Sequence, residues 1–168
     1  MAPATPIRSL RQGTHARALR DARTCYDHLA GRLGVSLMDV LVRRGHLVGG
    51  DGRFGSADGS DDGPDAGRDE RDPRAGYGHD VDYRLTGPGG KFLTDFGVVL
   101  PVRRPVVRYC VDWSEQRHHL AGGAGRGLLS RLLELDWVRR SPVHRAVTVT
   151  AAGRNGLSDT FGVQVGPR

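Results

Sequence analysis

Apolar and polar positions along this chain fall into short helical and strand-like runs, and the runs come in the same order twice. In the second half, Leu128, Leu129, Leu132, Leu133 and Leu135 lie on one side of a helix, with Arg126, Ser130, Arg131 and Glu134 largely on the other. Trp137 to Arg140 starts a strand, and Ser141 to Arg145 reads as a turn. Ala146 to Thr150 alternates Val147 and Val149 with threonines, a half-buried strand pattern. Thr150 is placed to cap a last helix that runs to about Phe161. Upstream, Trp113 to Ala121 reads as a short helix with Ser114 at its start, and Gly122, Gly123, Gly125 and Gly127 as a tight turn. The predicted order is helix, turn, helix, strand, turn, strand, helix.

The first half follows the same grammar. His28 to Arg32 ends one helix, Gly34 sits in the turn, and Ser36 caps a helix to about Arg44 that turns Leu37, Val40 and Leu41 inward. His46 to Val48 and Val81 to Leu85 give the two strands, and Thr86 caps a closing helix carrying Phe92, Leu93 and Phe96. The parallel is also literal: HLAGRLGVSL (His28 to Leu37) returns as HLAGGAGRGL (His119 to Leu128), identical at six of ten positions. A repeat of this length means two versions of one supersecondary unit. The order of elements is that of a winged helix-turn-helix, so the expected fold is mainly α with small β wings, as two tandem winged-helix-like repeats.

This divides the chain as follows. Residues 1–6, with Pro3 and Pro6, form a frayed end. Residues 7–98 hold a linker helix from Ile7 to about Asp27 and the first repeat; residues 99–107, with Pro101 and Pro105, are a hinge. Residues 108–163 are the second repeat and residues 164–168 a disordered end. Within the first wing, residues 49–80 are dense in Gly and Asp and too poor in apolar side chains to fold, which predicts a disordered insertion. The calcium-loop spacing of an EF-hand is absent from it.

Charge sharpens the picture. The 168 residues carry a formal +6, but Gly49 to Asp80 holds eight Asp and one Glu against four Arg, so the remainder is at about +11. Lys91 is the only lysine. Arginine suits bidentate contact with phosphate and guanine, so double-stranded DNA is the expected partner. Arg43, Arg44, Arg126, Arg131, Arg139, Arg140 and Arg145 are the candidate contacts, the second wing being free of the acidic insertion that would repel DNA from the first. Neither candidate recognition helix is rich in the Arg, Asn or Gln that read bases near a helix start. The exposed positions expected are Ser36, Met38, Asp39, Arg43 and Arg44 in one, and Gly125, Arg126, Ser130, Arg131 and Glu134 in the other.

Three blocks resemble the C-terminal region of ArsR-type winged helix-turn-helix transcriptional regulators. They are ARTCYDHLAGRLGVSLMDVLVRRG (Ala22 to Gly45), YRLTGPGGKFL (Tyr83 to Leu93) and RYCVDWSEQRHHLAG (Arg108 to Gly122), joined by LLELDWVRR (Leu132 to Arg140). The resemblance covers roughly Ser9 to Val163. It implies a regulator of transcription that acts as a homodimer, in which a separate winged helix preceding this region reads the major groove. It leaves open a second role, that of a dimerisation or effector-sensing module without a DNA-reading domain of its own.

Chemical motifs are sparse. No serine-nucleophile elbow, phosphate loop or HExxH zinc helix occurs, so no enzyme is expected. The metal-like groupings are Cys25, Asp27 and His28, and Cys110, Asp112, His118 and His119. The Cys-x-Cys motif of ArsR-type arsenic and cadmium sensors is absent. The two cysteines hold like positions in the repeats, where a small buried hydrophobe fits. No metal or other cofactor is therefore expected, with Cys25, His28, Cys110 and His119 as the ligands if one binds. No apolar run long enough to span a membrane and no secretory signal are present, and two distant cysteines give no disulfide framework, so the expected location is cytoplasmic.

Overall fold

The computed structural model describes residues 10–53 and 81–167. Five helices and four two-stranded antiparallel sheets make up those residues, a mixed α/β architecture. Helix α1 (Leu10–Asp21) leads into a hairpin of β1 (Arg23–Cys25) and β2 (His28–Ala30), then α2 (Gly31–Arg43). The first wing follows, β3 (Leu47–Val48) and β4 (Arg84–Leu85), and α3 (Gly87–Phe96) closes that half. The sequence of elements then recurs. A hairpin of β5 (Arg108–Val111) and β6 (His118–Ala121) precedes α4 (Gly122–Glu134), the second wing β7 (Val138–Arg140) and β8 (Val147–Val149), and α5 (Ala151–Phe161).

The ends of these elements follow from local chemistry. Thr86 and Thr150 cap α3 and α5, each accepting a hydrogen bond from a glycine N–H three residues on, Gly89 at 3.1 Å and Gly153 at 2.9 Å. Both helices stop at a left-handed glycine, Gly97 and Gly162. Wings and closing helices thus stand where the sequence puts them.

The elements before the central helices do not. Two hairpins stand where helices are expected at His28 to Arg32 and Trp113 to Ala121; in the first half α1 precedes its hairpin and packs on α2, and in the second no helix lies between α3 and α4 among the described residues. The expected linker helix likewise ends at Asp21, and Arg23 to Cys25 is strand. Two local features mark the turns of these hairpins. Tyr26 and Gln116 adopt left-handed φ of 54° at the turns. The Asp112 carboxylate also accepts the backbone N–H groups of Ser114 and Glu115, which folds that segment into a turn rather than starting a helix at Ser114. The glycines expected as a turn in residues 122–127 form the first turns of α4.

The two halves interlock. Helix α2 packs on β6 of the other half, α4 packs on β2, and β2 and β6 face each other. One apolar core runs through both, from Leu33, Leu37, Met38 and Leu41 to Leu128, Leu129 and Leu132, closed by Leu93, Leu157 and Phe161. The ends of the central helices are held in trade as well: Arg44 donates to the Thr160 carbonyl of α5, and Arg131 to the Phe96 carbonyl of α3. Gly49 to Arg53, expected within the disordered insertion, lie against this core. The Gly52 N–H donates to the Tyr83 hydroxyl and its carbonyl accepts from the His118 N–H. The rest of the insertion, residues 54–80, and the expected frayed residues 1–6 lie outside the described residues. The expected hinge docks on α4, with the Pro105 and Val106 carbonyls accepting from the Gly123 and Ala124 N–H groups. Gln164 of the expected disordered end bonds to Ser158.

Candidate functional site

The six identities of the sequence repeat share one structural logic. Leu29 and Leu120, Ala30 and Ala121, and Leu37 and Leu128 are all core residues. Gly31 and Gly122 take φ of 77° and 71° at the corner where each hairpin turns into its helix. Only glycine adopts that conformation cheaply. Gly34 and Gly125 let the helix pass over its hairpin. A Cβ on either would sit 2.5 Å from a backbone carbonyl oxygen, that of Leu29 or Leu120. The same gap admits a side chain from the opposite half: His119 Cβ lies 3.6 Å from the position of a Gly34 Cβ, and His28 Cβ lies 3.2 Å from that of Gly125. The remaining identity is that pair of histidines.

Each histidine faces a cysteine across its hairpin. Cys25 is paired with His28 in the β1–β2 ladder, and Cys110 with His119 in β5–β6. Because β2 meets β6, the two cross-strand pairs close on one another. Their four ligand atoms lie within 4.8 Å of each other. His28 Nε2 is 3.2 Å from His119 Nε2 and 3.5 Å from Cys110 Sγ. His28, Cys110 and His119 are buried, and Cys25 is partly open. The sequence offers these four as ligands of last resort and expects buried cysteines to act as hydrophobes; the structure brings all four together.

Acidic side chains set the ring orientations. Asp112 Oδ2 accepts from His119 Nδ1 at 2.9 Å, and Asp27 Oδ1 lies 3.3 Å from His28 Nδ1. Each ring therefore spends its Nδ1 hydrogen on a carboxylate and turns Nε2 inward. The two inward nitrogens stand 3.2 Å apart. Their lone pairs repel, so the arrangement calls for a cation between them, a proton or a metal ion. The thiols respond to the same crowding. A hydrogen bond from Cys110 holds the Cys25 thiol well below its ordinary value, against burial and with help from His119 and His28. That bond and burial push Cys110 up. Burial would lower His119, but its bonds to Asp112 and Cys25 raise it.

Asp112, which the sequence offers only as one member of a grouping, is the keystone. It is fully buried, yet its carboxyl is held well below the usual range: burial would raise it, and hydrogen bonds from His119, the Gly31 N–H and Arg23 overcome that. Oδ1 takes Arg23 Nη2 at 2.8 Å and the Ser114 hydroxyl at 2.9 Å; Oδ2 takes the Gly31 N–H at 2.7 Å. Gly31 opens α2, so a carboxylate from one half caps the central helix of the other, where the helix dipole favours negative charge. Arg23, itself buried, stacks 4.3 Å from the Trp113 ring centroid.

The candidate DNA contacts scatter more than the sequence suggests. Arg43 is exposed but bonded to Asp39 at 2.7 Å, and Arg139 is held bidentately by Asp136 at 2.7 and 2.6 Å. Arg131 is half-buried against Phe96, and Arg44 caps α5. Arg126, Arg140 and Arg145 are exposed, and their side chains have no hydrogen bond or ion pair among the described residues. Arg140 and Arg145 flank the second wing; Arg126 stands on α4. Each central helix buries its inner face and keeps part of its outer face open, Arg126, Ser130 and Glu134 on α4 and Arg43 at the end of α2. Met38 and Gly125, expected on exposed faces, are buried, because each helix is covered by the hairpin of the other half.

Against known proteins, no family model matches this chain, and no solved structure does. A protein of Bacillus subtilis (strain 168) named as an uncharacterized HTH-type transcriptional regulator, YdfF, is 31% identical over 169 residues. The match takes in 98% of this chain, which spans 62% of the length of that protein. Among the described residues no helix is long and apolar enough to cross a membrane. The chain is therefore similar, almost from end to end, to a part of a protein named as a regulator of transcription.

Proposed function

We propose that this chain is the effector-responsive part of an ArsR-type transcriptional regulator that works as a homodimer in the cytoplasm. In this reading it holds duplex DNA by phosphate contacts rather than by reading bases. The similarity to the Bacillus regulator carries the regulatory part of the reading. The composition of the open helix faces supports its form: Arg126, Ser130 and Glu134 on α4, and Arg43 on α2 already paired with Asp39, offer little of the Arg, Asn or Gln that reads bases near a helix start. Exposed arginines whose side chains have no partner among the described residues supply sequence-independent contacts, above all Arg140 and Arg145 on the second wing.

Fluorescence anisotropy on random and promoter duplexes across a salt series tests this. Binding is expected to be weak, with dissociation constants of roughly 10⁻⁴ to 10⁻⁶ M at physiological salt, and steeply salt-sensitive. Arg140→Ala with Arg145→Ala flattens the slope of log K against log salt by about two units, at roughly 0.9 for each phosphate no longer neutralised. Nanomolar, sequence-selective binding by this chain would overturn the phosphate-only form. No binding at low salt would remove DNA from the reading altogether. Sedimentation velocity showing a monomer at tens of micromolar would remove the homodimer.

A further inference from the structure

We propose that Cys25, His28, Cys110 and His119 form a tetrahedral site for one zinc-class metal ion, bound between the two halves of the chain. The inference rests on this side-chain cluster and does not depend on the regulatory reading.

Distances carry it first. Zinc bonds of about 2.3 Å to sulfur and about 2.0–2.1 Å to nitrogen, at tetrahedral angles, place two nitrogens about 3.3 Å apart and a nitrogen and sulfur about 3.6 Å apart. The nitrogen pair here is 3.2 Å apart and the His28 nitrogen is 3.5 Å from the Cys110 sulfur. Both are also hydrogen-bond distances, and it is the convergence of all four ligand atoms within 4.8 Å of one another that sets the cluster apart. The donor chemistry agrees: two thiolates and two neutral imidazoles are a recurrent zinc set, and they select against magnesium and calcium, which take oxygen ligands.

Orientation comes second. Both ligating histidines present Nε2 to the centre and Nδ1 to a carboxylate, Asp112 for His119 and Asp27 for His28. This carboxylate–histidine arrangement fixes the ring and raises the basicity of the ligating nitrogen. Asp112 is in turn anchored by Arg23 and by the Gly31 N–H, so the shell around the site is built from both halves. Access comes third: three ligands are buried and Cys25 is partly open, which gives an ion a way in on one side.

Charge balances. Two thiols give up two protons on binding, and the resulting thiolates neutralise the dication. Each hairpin supplies one cysteine and one histidine, so neither half holds the ion alone. Filling the site therefore ties β2 to β6, and through them α2 to α4.

The test is metal binding by the full chain, purified with chelator and then kept under reductant. Reconstitution with Zn²⁺ is expected to leave one equivalent per chain after desalting. Replacement by Co²⁺ is expected to give the visible bands of a tetrahedral ion together with thiolate-to-metal charge transfer. His119→Gln and Cys25→Ser, each removing a ligand, weaken binding by at least the roughly 10- to 100-fold that losing an outer-shell partner costs, in competition with a chromophoric chelator. Cys25 is the partly open ligand, so Cys25→Ser keeps the test informative where the buried variant fails to fold. Less than about one tenth of an equivalent bound, an octahedral cobalt spectrum, or an equivalent retained by both variants would each overturn the proposal.

Discussion

Replacing Asp112 by asparagine keeps the shape of the side chain and removes one charge. In this structure that charge answers a buried guanidinium, two backbone N–H groups on the hairpin turn, the first N–H of α2 and an imidazole. Every one of these partners is a donor, and the two carboxylate oxygens divide them. An asparagine must present its own NH₂ to one group or the other, so whichever way it flips, donor meets donor. Breaking a buried ion pair from one side costs about 3–5 kcal/mol, because the remaining charge is stranded. For a chain of this length about 2–4 °C of melting temperature goes with each kcal/mol, so Asp112→Asn is expected to lower the midpoint by roughly 6–20 °C. Circular-dichroism melts with chelator present isolate this loss from any bound metal. Lys91→Met is the control: its ion pair with Asp95 lies at the surface and is worth about 1 kcal/mol or less. Arg23→Met combined with Asp112→Asn is expected to cost less than the two changes added, since it removes the stranded cation. A midpoint for Asp112→Asn no lower than that of Lys91→Met would refute the assignment of Asp112 as keystone.

Four further outcomes follow from the geometry. At Gly125 a Cβ would sit 2.5 Å from the Leu120 carbonyl oxygen and 3.2 Å from His28 Cβ. Gly125→Ala, although alanine is the better helix former, is therefore expected to destabilise by about 1–3 kcal/mol in urea melts. Thr150→Ala removes the cap of α5 and the bonds from its hydroxyl to the Asp136 and Trp137 carbonyls, a loss of about 1 kcal/mol by the same assay. Burial first, then the charge of Asp51, pushes the Tyr83 phenol up to about 12 against a bond from Gly52. Its folded value lies above the unfolded one near 10, so its contribution is complete below pH 10 and is lost as pH rises through 12. Denaturation midpoints of the wild type and Tyr83→Phe, followed from about pH 9 to about pH 12, should converge as the pH rises. Deleting residues 54–80, net −5, is expected to strengthen non-specific DNA binding in low salt by removing like-charge repulsion.

Periodicity made one class of element legible and misled on another. Thr86, Thr150 and the alternation at Val147 and Val149 each carry a complete local signal, a capping hydroxyl or a period of two, and the structure follows them. The hairpins before α2 and α4 carry no such signal. Their strands are three or four residues long, and HLAG is apolar enough to read as the end of a helix. What decides for strand is non-local: the fit of β2 against α4 and of β6 against α2 across the molecule. The glycines of α4 misled for a related reason. Four in six residues read as a turn when only helix propensity is weighed, whereas they are small because another backbone or side chain occupies the space. The site was half legible. The repeat itself aligned Cys25 with Cys110 and His28 with His119, but the separations differ, two residues between Cys25 and His28 against eight between Cys110 and His119, so a spacing motif could not show it. Ladder register restores the equivalence, because the longer hairpin loop of the second half carries Asp112 and its turn.

That loop makes the two halves support the cluster unequally. Both halves supply a cysteine facing a histidine and a glycine that lets the opposite histidine in. The supports of the two histidines differ. Asp27 is more than a third exposed and shared with Arg104, whereas Asp112 is fully buried and committed to Arg23 and to the start of α2. Whatever occupies the centre therefore pulls on a loose mount on one side and a rigid one on the other. The rigid side leads through Asp112 into α2 and through Arg23 into β1, which bonds to the second wing at Arg145 and Ala146. One run of hydrogen bonds thus leads from the proposed ion site through Asp112 and Arg23 to the backbone of Arg145 at the second wing.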